Sequence, residues 1–208
     1  MALDERLKEY ESKRDLKASP EPRGNGRKKK GEEPIFVIQK HDARNLHYDF
    51  RLEVDGVLAS WAVPKGPSTD PGVKRLAIHV EDHPMDYAEF EGVIPEGMYG
   101  AGTVLVWDMG TYKNLMAEKK DPLTMRESIE KGHVEVWLEG KKLRGGFALV
   151  HMKDRGDNQW LLVKMKDKFA DAKRDPLTDE PDSVLSQASL EEIRQSIEEG
   201  ESDSSGRS

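Results

Sequence analysis

A hairpin pattern near residue 50 constrains the fold of this 208-residue chain more than any other feature. Residues 47–54 alternate polar and apolar side chains with the period of two that is typical of a half-buried strand. Asp55-Gly56 follows, and both central positions of a type I′ turn need positive φ angles. Residues 57–63 are mostly apolar and supply the return strand. The pattern predicts an antiparallel hairpin whose first strand has one polar and one apolar face.

Eight further segments have the length and composition of short strands, and they recur at close spacing. They are residues 35–39, 76–80, 87–94, 103–108, 111–115, 133–138, 142–152 and 158–165. One helix is predicted among them, capped by Asp121, with Pro122 in its first turn and Gly132 at its end. Many short strands separated by turn residues are typical of an antiparallel barrel or sandwich rather than a parallel sheet.

The N-terminal region differs from the strand-rich region in composition. Residues 1–33 are predicted to form a helix, over residues 2–17, and then a linker rich in Pro, Gly and basic side chains. Leu3, Leu7 and Tyr10 would form the apolar stripe of that helix. The β domain is predicted to occupy residues 34–170.

The C-terminal region carries the acidic balance of the chain. The net charge is −7, and residues 171–208 alone hold 11 acidic and 4 basic side chains. We expect this region to be a largely disordered tail. Its one short helix would begin at a capping box over Ser189–Glu192 and end near residue 199.

Cysteine is absent from the sequence, which excludes disulfides, thiolate zinc sites and a cysteine nucleophile. No apolar run approaches the 18–20 residues or so of a membrane span, and the first ten residues lack an apolar signal-peptide core. These features lead us to expect a cytoplasmic protein with no membrane partner.

The polar face of the strand over residues 47–54 carries the residues most suited to chemistry. His47, Asp49 and Arg51 would follow one another about 6.5–7 Å apart. With His41, just upstream, they offer two imidazoles and a carboxylate, a ligand set that leaves metal positions open for water and substrate. Arg51 could bind a phosphate beside the metal. The alternative is an ordinary surface strand whose polar face lies in water.

A second polar group follows the strand over residues 76–80. Glu81, His83 and Tyr87 lie where strand gives way to loop, and His83 could exchange a proton near neutral pH. Lys65 and Arg75 would add positive charge. The glycine-rich loop over residues 95–102 precedes a strand and lacks the phosphate-loop motif, so a tight packed turn is expected there.

Several of these stretches, in this order, resemble the 3′-phosphoesterase domain of bacterial ATP-dependent DNA ligase D. The resemblance rests on Gln39-Lys-His41, Leu46–Glu53, Trp61–Pro67, Val80–Pro84 with Tyr87, Ile94–Gly102 and Trp107-Asp108. Lys13-Arg14-Asp15 and Pro20-Glu21-Pro22 match its N-terminal element. The match covers roughly residues 10–168.

The resemblance implies a compact antiparallel β-barrel and a manganese-dependent hydrolase, with cobalt or zinc as other metals. Such enzymes act in non-homologous end joining: they remove a 3′-terminal ribonucleotide to leave a 3′-phosphate and convert 3′-phosphate to 3′-hydroxyl. Expected partners are DNA primer-templates or broken DNA ends, together with a DNA ligase, a polymerase and Ku. The chain would be a stand-alone enzyme or an excised domain.

The resemblance also assigns roles to residues of this sequence. His41, His47 and Asp49 would bind the metal. Arg51, Lys65, Arg75, Glu81, His83 and Tyr87 would form the catalytic shell, and Arg14, Asp15, Glu21 and Gln39 would contact the substrate. In this scheme, arginine and lysine would neutralise charge on the phosphoryl group, and His83 would protonate the leaving oxygen.

Two other functions are compatible with the residues. An iron and 2-oxoglutarate oxygenase would use His47, Asp49 and a distal His133 as ligands, with Arg144 for the keto acid. That arrangement leaves His41 without a role. A non-catalytic module that binds DNA ends is the other alternative.

Overall fold

A computed structural model describes residues 3–23 and 33–205 of the chain, most of them in or around a β-sheet. Strands β1 to β9 span Ile35–Asp42, Leu46–Val54, Val57–Val63, Lys74–Pro84, Gly92–Ile94, Gly102–Asn114, His133–Gly140, Arg144–His151 and Gln159–Lys164. Helices α1 to α4 span Leu3–Ser12, Met125–Lys131, Pro176–Asp179 and Leu190–Ser205. Short 3-10 helices span Met85–Glu89, Leu115–Glu118 and Lys153–Arg155.

Eight of the strands close into an antiparallel barrel, which confirms the predicted fold class. Neighbouring strands follow the order β1-β2-β3-β4-β9-β8-β7-β6, and β6 pairs with β1 to complete the ring. The short strand β5 pairs with residues 102–104 of β6, whereas β7 pairs with residues 110–114 of the same strand.

The hairpin of β2 and β3 has the predicted turn. Asp55 and Gly56 take φ angles of 52° and 84°. The turn sets the register in which Val54 pairs with Val57 and Asp49 pairs with Ala62. The apolar face of β2 therefore points into the barrel, as expected.

Apolar side chains from the ring strands fill the barrel lumen. On β2 each residue of the apolar face is at most 5% exposed. The same cluster includes side chains from β1, β3, β4, β6, β7, β8 and β9, among them Phe36, Trp61, Ala77, Trp107, Val136, Phe147 and Trp160. The inner face of β2 is therefore part of the hydrophobic core.

A second apolar cluster lies on the outer side of the barrel wall. Val37 of β1 and Leu58 of β3 face outward into it. Tyr10 of α1, together with Tyr87 and Phe90 around the first 3-10 helix, covers them. These covering segments form one side of the site described below.

Several elements differ from their predicted bounds. The segments 103–108 and 111–115 form one continuous strand, β6, and both β1 and β4 extend beyond their predicted ranges. Residues 87–94 do not form one strand: they divide between the 3-10 helix Met85–Glu89 and β5, because a helical turn brings both Tyr87 and Ala88 onto the outer cluster. Helix α2 is capped by Thr124, whose side chain accepts from the Glu127 amide, and not by Asp121. Gly132 ends the helix as predicted, with a φ angle of 80°.

The chain termini also differ from expectation. Helix α1 ends at Ser12, before the predicted residue 17, and most of the basic linker lies outside the described residues. Residues 171–188, expected to be disordered, pack on the barrel. The Trp107 indole and Lys142 both donate to the carbonyl of Glu180, and the Val184 amide donates to the carbonyl of Val106.

Helix α4 follows this packed segment. Its predicted capping box is present, because the Ser189 hydroxyl accepts from the Glu192 amide and the Glu192 carboxylate accepts from Ser189. The helix continues to Ser205, beyond the predicted end near residue 199. Within the described part of the chain, no helix has the length and apolar character that crossing a membrane requires.

Candidate metal centre

Two histidines and one aspartate converge on the outer face of β1 and β2. The strand register places His41 opposite His47 and Gln39 opposite Asp49. One ligand atom from each of His41, His47 and Asp49 lies within 4.8 Å of the others. The predicted ligand set is therefore assembled in one place, by two adjacent strands of the barrel.

The histidine rings are oriented by backbone carbonyls. His41 Nε2 lies 2.9 Å from the carbonyl oxygen of Gly100, and His47 Nδ1 lies 2.9 Å from that of Asn45. Each of these nitrogens must carry the proton, because a carbonyl only accepts. The other two ring nitrogens are then free to act as ligands, and they lie 3.8 and 3.7 Å from the Asp49 carboxylate. Such carbonyl partners commonly fix the tautomer of metal-binding histidines, so the residues present fit a divalent ion.

Arg51 holds the Asp49 carboxylate from the other side. Its guanidinium donates to Asp49, to the Gln39 side chain and to the Ser60 hydroxyl, at 2.8–2.9 Å. Burial alone would raise the pKa of Asp49, but the charge of Arg51 and the contacts with His41 and His47 hold it well below its ordinary value. Asp49 is therefore an ionised carboxylate, the state that could bind a cation.

The polar face of β2 is buried, so the alternative of a surface strand in water is wrong. Arg51 is 2% exposed and Asp49 is 7% exposed. The ring of Tyr87, on the first 3-10 helix and distant in sequence, covers the Arg51 guanidinium. A buried guanidinium and carboxylate are stable in this position because each is hydrogen-bonded.

His83 lies on the same side of the wall as the triad and is also buried. Its Nδ1 lies 2.9 Å from the carbonyl oxygen of Glu81, and its Nε2 lies 3.2 Å from the Arg14 guanidinium. Because a guanidinium only donates, Nε2 is the acceptor. Burial, together with the charges of Arg51 and Arg14, lowers the pKa of His83 well below its ordinary value. His83 is therefore neutral here.

Arg14 connects the N-terminal region to this group. It donates to Glu21 at 2.8 Å and to Glu81 at 3.0 Å. The Tyr87 hydroxyl also donates to Glu21, at 3.1 Å, and burial raises the pKa of Tyr87 well above its ordinary value. Arg14, Glu21, Glu81, His83 and Tyr87 all line one cavity of about 310 Å³ with the triad.

Four predicted site residues do not line this cavity. Gln39 is completely buried and donates to the carbonyls of Tyr87 and Phe90, so it holds Arg51 and the 3-10 helix in place. Three others lie elsewhere: Asp15 is exposed and accepts from the Lys17 amide, Lys65 is exposed beyond the end of β3, and Arg75 pairs with β9.

The oxygenase alternative is wrong in its ligand set. His133 lies on β7, where it is exposed and contacts Glu135, and Arg144 begins β8. Both strands are remote from β2 in the ring order. The residue that lies beside His47 and Asp49 is His41 instead.

Some residues of the site were not predicted. Tyr10 contacts His83 and Tyr87 edge-on, and its ring lies 4.1 Å from the Arg14 guanidinium carbon. Ser60 holds Arg51, and Tyr99 lines the cavity. For Tyr10 the residue pattern indicates only an apolar helical stripe. Tyr99 lies in the Ile94–Gly102 stretch that carries the family resemblance, but no role was assigned to it.

Comparison with known proteins finds a matching family and several similar proteins. The family model described as the DNA ligase D 3′-phosphoesterase domain matches residues 39–151. Over 188 residues, 88% of this chain, the sequence is 53% identical to the multifunctional non-homologous end joining protein LigD of Pseudomonas aeruginosa, covering 22% of that protein. Over 164 residues, 79% of the chain, it is 45% identical to the multifunctional non-homologous end joining DNA repair protein LigD of Mycobacterium tuberculosis, covering 20% of it. The chain thus spans about a fifth of the length of these relatives.

Proposed function

The chain belongs to the family of DNA ligase D 3′-phosphoesterase domains, and from that membership we propose that it heals 3′ ends of DNA in non-homologous end joining. It removes a 3′-terminal ribonucleotide to leave a 3′-phosphate, and it converts a 3′-phosphate to a 3′-hydroxyl. The observation that carries this proposal is the convergence of His41, His47 and Asp49 beside Arg51 and Arg14.

The proposal includes a divalent metal held by His41 Nδ1, His47 Nε2 and the Asp49 carboxylate. We propose Mn²⁺, and Co²⁺ or Zn²⁺ suit the same donor set. When bound, the ion supplies Lewis-acid polarisation of a non-bridging phosphate oxygen.

Positive charge near the triad would stabilise the phosphoryl group. Arg51 is fixed by three hydrogen bonds, so its charge needs no rearrangement as the reaction proceeds. The Arg14 side chain is only 5% exposed, and it lines the same cavity. Lys65 and Arg75 lie outside the cavity wall and would act on the DNA strand that leads to it.

His83 suits a different role from the one expected of it. Its unprotonated nitrogen, Nε2, accepts a hydrogen bond from Arg14, and its pKa is lowered by burial and by Arg51 and Arg14. Nε2 has no proton to give to a leaving oxygen, and it would orient or deprotonate an attacking water once the Arg14 guanidinium turns from it to the phosphate. We therefore assign His83 to the water and not to the leaving group.

An end-resection assay tests the proposed function. The protein and Mn²⁺ would be incubated with a 5′-labelled primer-template ending in one ribonucleotide, with 3′-phosphate and all-DNA primers alongside. We expect conversion of the ribonucleotide end to a 3′-phosphate and then to a 3′-hydroxyl, with the all-DNA primer unchanged and no reaction in EDTA. DNA binding without any product would favour the non-catalytic module. A DNA ligase, a polymerase and Ku are the partners we propose for the healed end.

A further inference from the structure

A second groove opens beside the cavity that holds the triad. Its volume is about 740 Å³, within the usual range for ligand sites. Val80, Glu81 and Tyr99 line both the groove and the cavity, so a ligand could extend from one into the other. Helix α1 forms the opposite wall through Glu5, Arg6 and Glu9 among others.

Tyr99 is an exposed aromatic residue at the junction of the two spaces. It is 47% exposed, and the charged ends of Lys13 and Arg14 lie 5.2 and 5.0 Å from the centre of its ring. The next residue, Gly100, supplies the carbonyl that orients His41. Tyr99 is therefore adjacent in sequence to the residue that orients His41. Exposed aromatic rings beside phosphate-binding groups are the surfaces on which nucleic-acid bases stack.

The charge of the groove argues against a phosphate-bearing ligand. Five carboxylates line it against three cations. All three cations are already paired. Arg6 contacts Asp82, Lys13 contacts Glu9 and Glu81, and Arg126 contacts Asp55. Glu5 and Glu130 make no ion pair within the part of the chain that the structure describes. A neutral ligand is therefore favoured over a further stretch of DNA backbone.

These observations agree on one ligand, and we infer that the groove binds the terminal nucleoside of the substrate, with Tyr99 stacking on its base. The inference rests on the proposed function. In the diesterase step a water oxygen bonds to phosphorus and the bond between phosphorus and the 5′ oxygen of the nucleoside breaks. That oxygen takes up a proton, and a neutral nucleoside leaves. The 3′-terminal nucleoside carries no phosphate beyond the scissile one, which matches the acidic groove.

Kinetics of Tyr99 variants on two substrates test the inference. Tyr99→Ala should raise KM for the primer ending in a ribonucleotide by roughly fivefold or more, the loss expected for one base stack. The rise in KM for the 3′-phosphate primer should be much smaller, because that primer has no nucleoside beyond its phosphate. Tyr99→Phe should retain the wild-type KM, and Leu185→Ala, which removes an equally exposed side chain outside the groove, serves as the control.

A modified substrate gives a second readout that needs no variant. A primer whose terminal ribose lacks its base should show a raised KM with the wild-type protein, and Tyr99→Ala should add nothing further. An equal effect of Tyr99→Ala on both primers, or no effect on either, would overturn the nucleoside site while leaving the proposed function intact. Absence of cleavage by the wild-type protein would instead contradict the proposed function itself.

Discussion

On strand β2 the side chains that face the lumen and those that face outward are both buried, but different parts of the chain bury them. Phe50 and Leu52 are covered by the other strands of the barrel. Arg51 is covered by Tyr87 of the 3-10 helix Met85–Glu89, and Asp49 and Arg51 are hydrogen-bonded to one another. The inner face depends on apolar packing, whereas the outer face depends on polar pairs that each need a partner.

This difference separates stability from activity along a single strand. Apolar burial on the inner face contributes to folding and does not touch the metal ligands. Buried polar groups on the outer face contribute little net stability, because burial in itself disfavours charge. Substitutions on the inner face should therefore lower the free energy of unfolding, whereas substitutions on the outer face should lower activity.

The largest expected effect is on the outer face, at a metal ligand. His47→Ala should lower kcat on the 3′-phosphate primer by roughly 10²–10³-fold or more, because it removes a ligand that fixes the electrostatics of the site. It should also abolish Mn²⁺ binding, measured by calorimetry. The melting temperature without metal should change little, since His47 is only partly buried.

His133→Ala is the matched control, because it removes an exposed histidine from β7. It should leave activity and metal binding at the wild-type level. Loss of activity in His133→Ala would indicate that the ligand set has been assigned to the wrong residues. Asp49→Ala is a poorer test, because it also leaves the buried Arg51 without its carboxylate partner.

The inner face gives the largest expected loss of stability. Phe50→Ala should lower the free energy of unfolding by about 3–5 kcal/mol, because it leaves a cavity in the lumen. The folded fraction should still bind Mn²⁺ with wild-type affinity. Urea denaturation with and without metal measures both quantities. Val150→Ala, at an exposed position on β8, should change stability by less than about 0.5 kcal/mol.

How much of this arrangement can be predicted from the sequence depends on how far apart the contacting segments lie along the chain. The alternation on β2 and the Asp55-Gly56 turn are local, and both were predicted correctly. The triad was predictable because β1 and β2 are adjacent in sequence and pair in register. The residue pattern does not predict the cover over Arg51, because it comes from a 3-10 helix more than thirty residues away, and only the family resemblance places Tyr87 near Arg51.

The packed C-terminal segment illustrates the same limit. Residues 171–188 are polar, which favours disorder when composition alone is considered. Their backbone carbonyls nevertheless accept hydrogen bonds from Lys142 and Trp107 on the barrel. Composition does not reveal such contacts, because any residue can supply a carbonyl.

Gln39 on the outer face positions Arg51. Its substitution should lower both stability and kcat, each by less than the substitutions above. Gln39→Leu removes the acceptor for Arg51 Nε and the donor to the carbonyls of Tyr87 and Phe90. We expect a loss of about 1–3 kcal/mol in stability, because buried polar groups are left without partners. We also expect a lower kcat with unchanged Mn²⁺ affinity, since the triad itself is intact.

Ser60→Ala removes a single hydrogen bond to Arg51 and serves as the milder comparison. Its losses in stability and in kcat should both be smaller than those of Gln39→Leu. If Gln39→Leu instead raised KM with kcat unchanged, Gln39 would be a substrate contact, as the family resemblance implied. Wild-type kinetics in both variants would mean that the position of Arg51 does not matter for turnover.

At neutral pH the smallest expected difference between the two faces is in their response to pH, which becomes measurable only in acid or alkali. Asp49 on the outer face has a lowered pKa, so its contribution to stability is lost only as the pH falls below about 4. On the inner face, burial and the charge of Asp175 raise the pKa of Tyr48 to about 12. An unfolded tyrosine loses its proton near pH 10. Between pH 10 and 12 the folded state therefore holds more protons at Tyr48, and stability must decrease as the pH rises.

Comparison of the wild type with Tyr48→Phe isolates this contribution. Because Tyr48 exchanges one proton, it can change the free energy of unfolding by at most about 1.4 kcal/mol per pH unit. Tyr48→Phe should lack that part of the slope between pH 10 and 12, and the two proteins should have parallel stability profiles from pH 7 to 9. Urea denaturation at half-unit pH steps measures the difference. Parallel profiles above pH 10 as well would mean that the phenol of Tyr48 ionises as readily in the folded state as in the unfolded state, and that the inner face of β2 is less well sealed than its outer face.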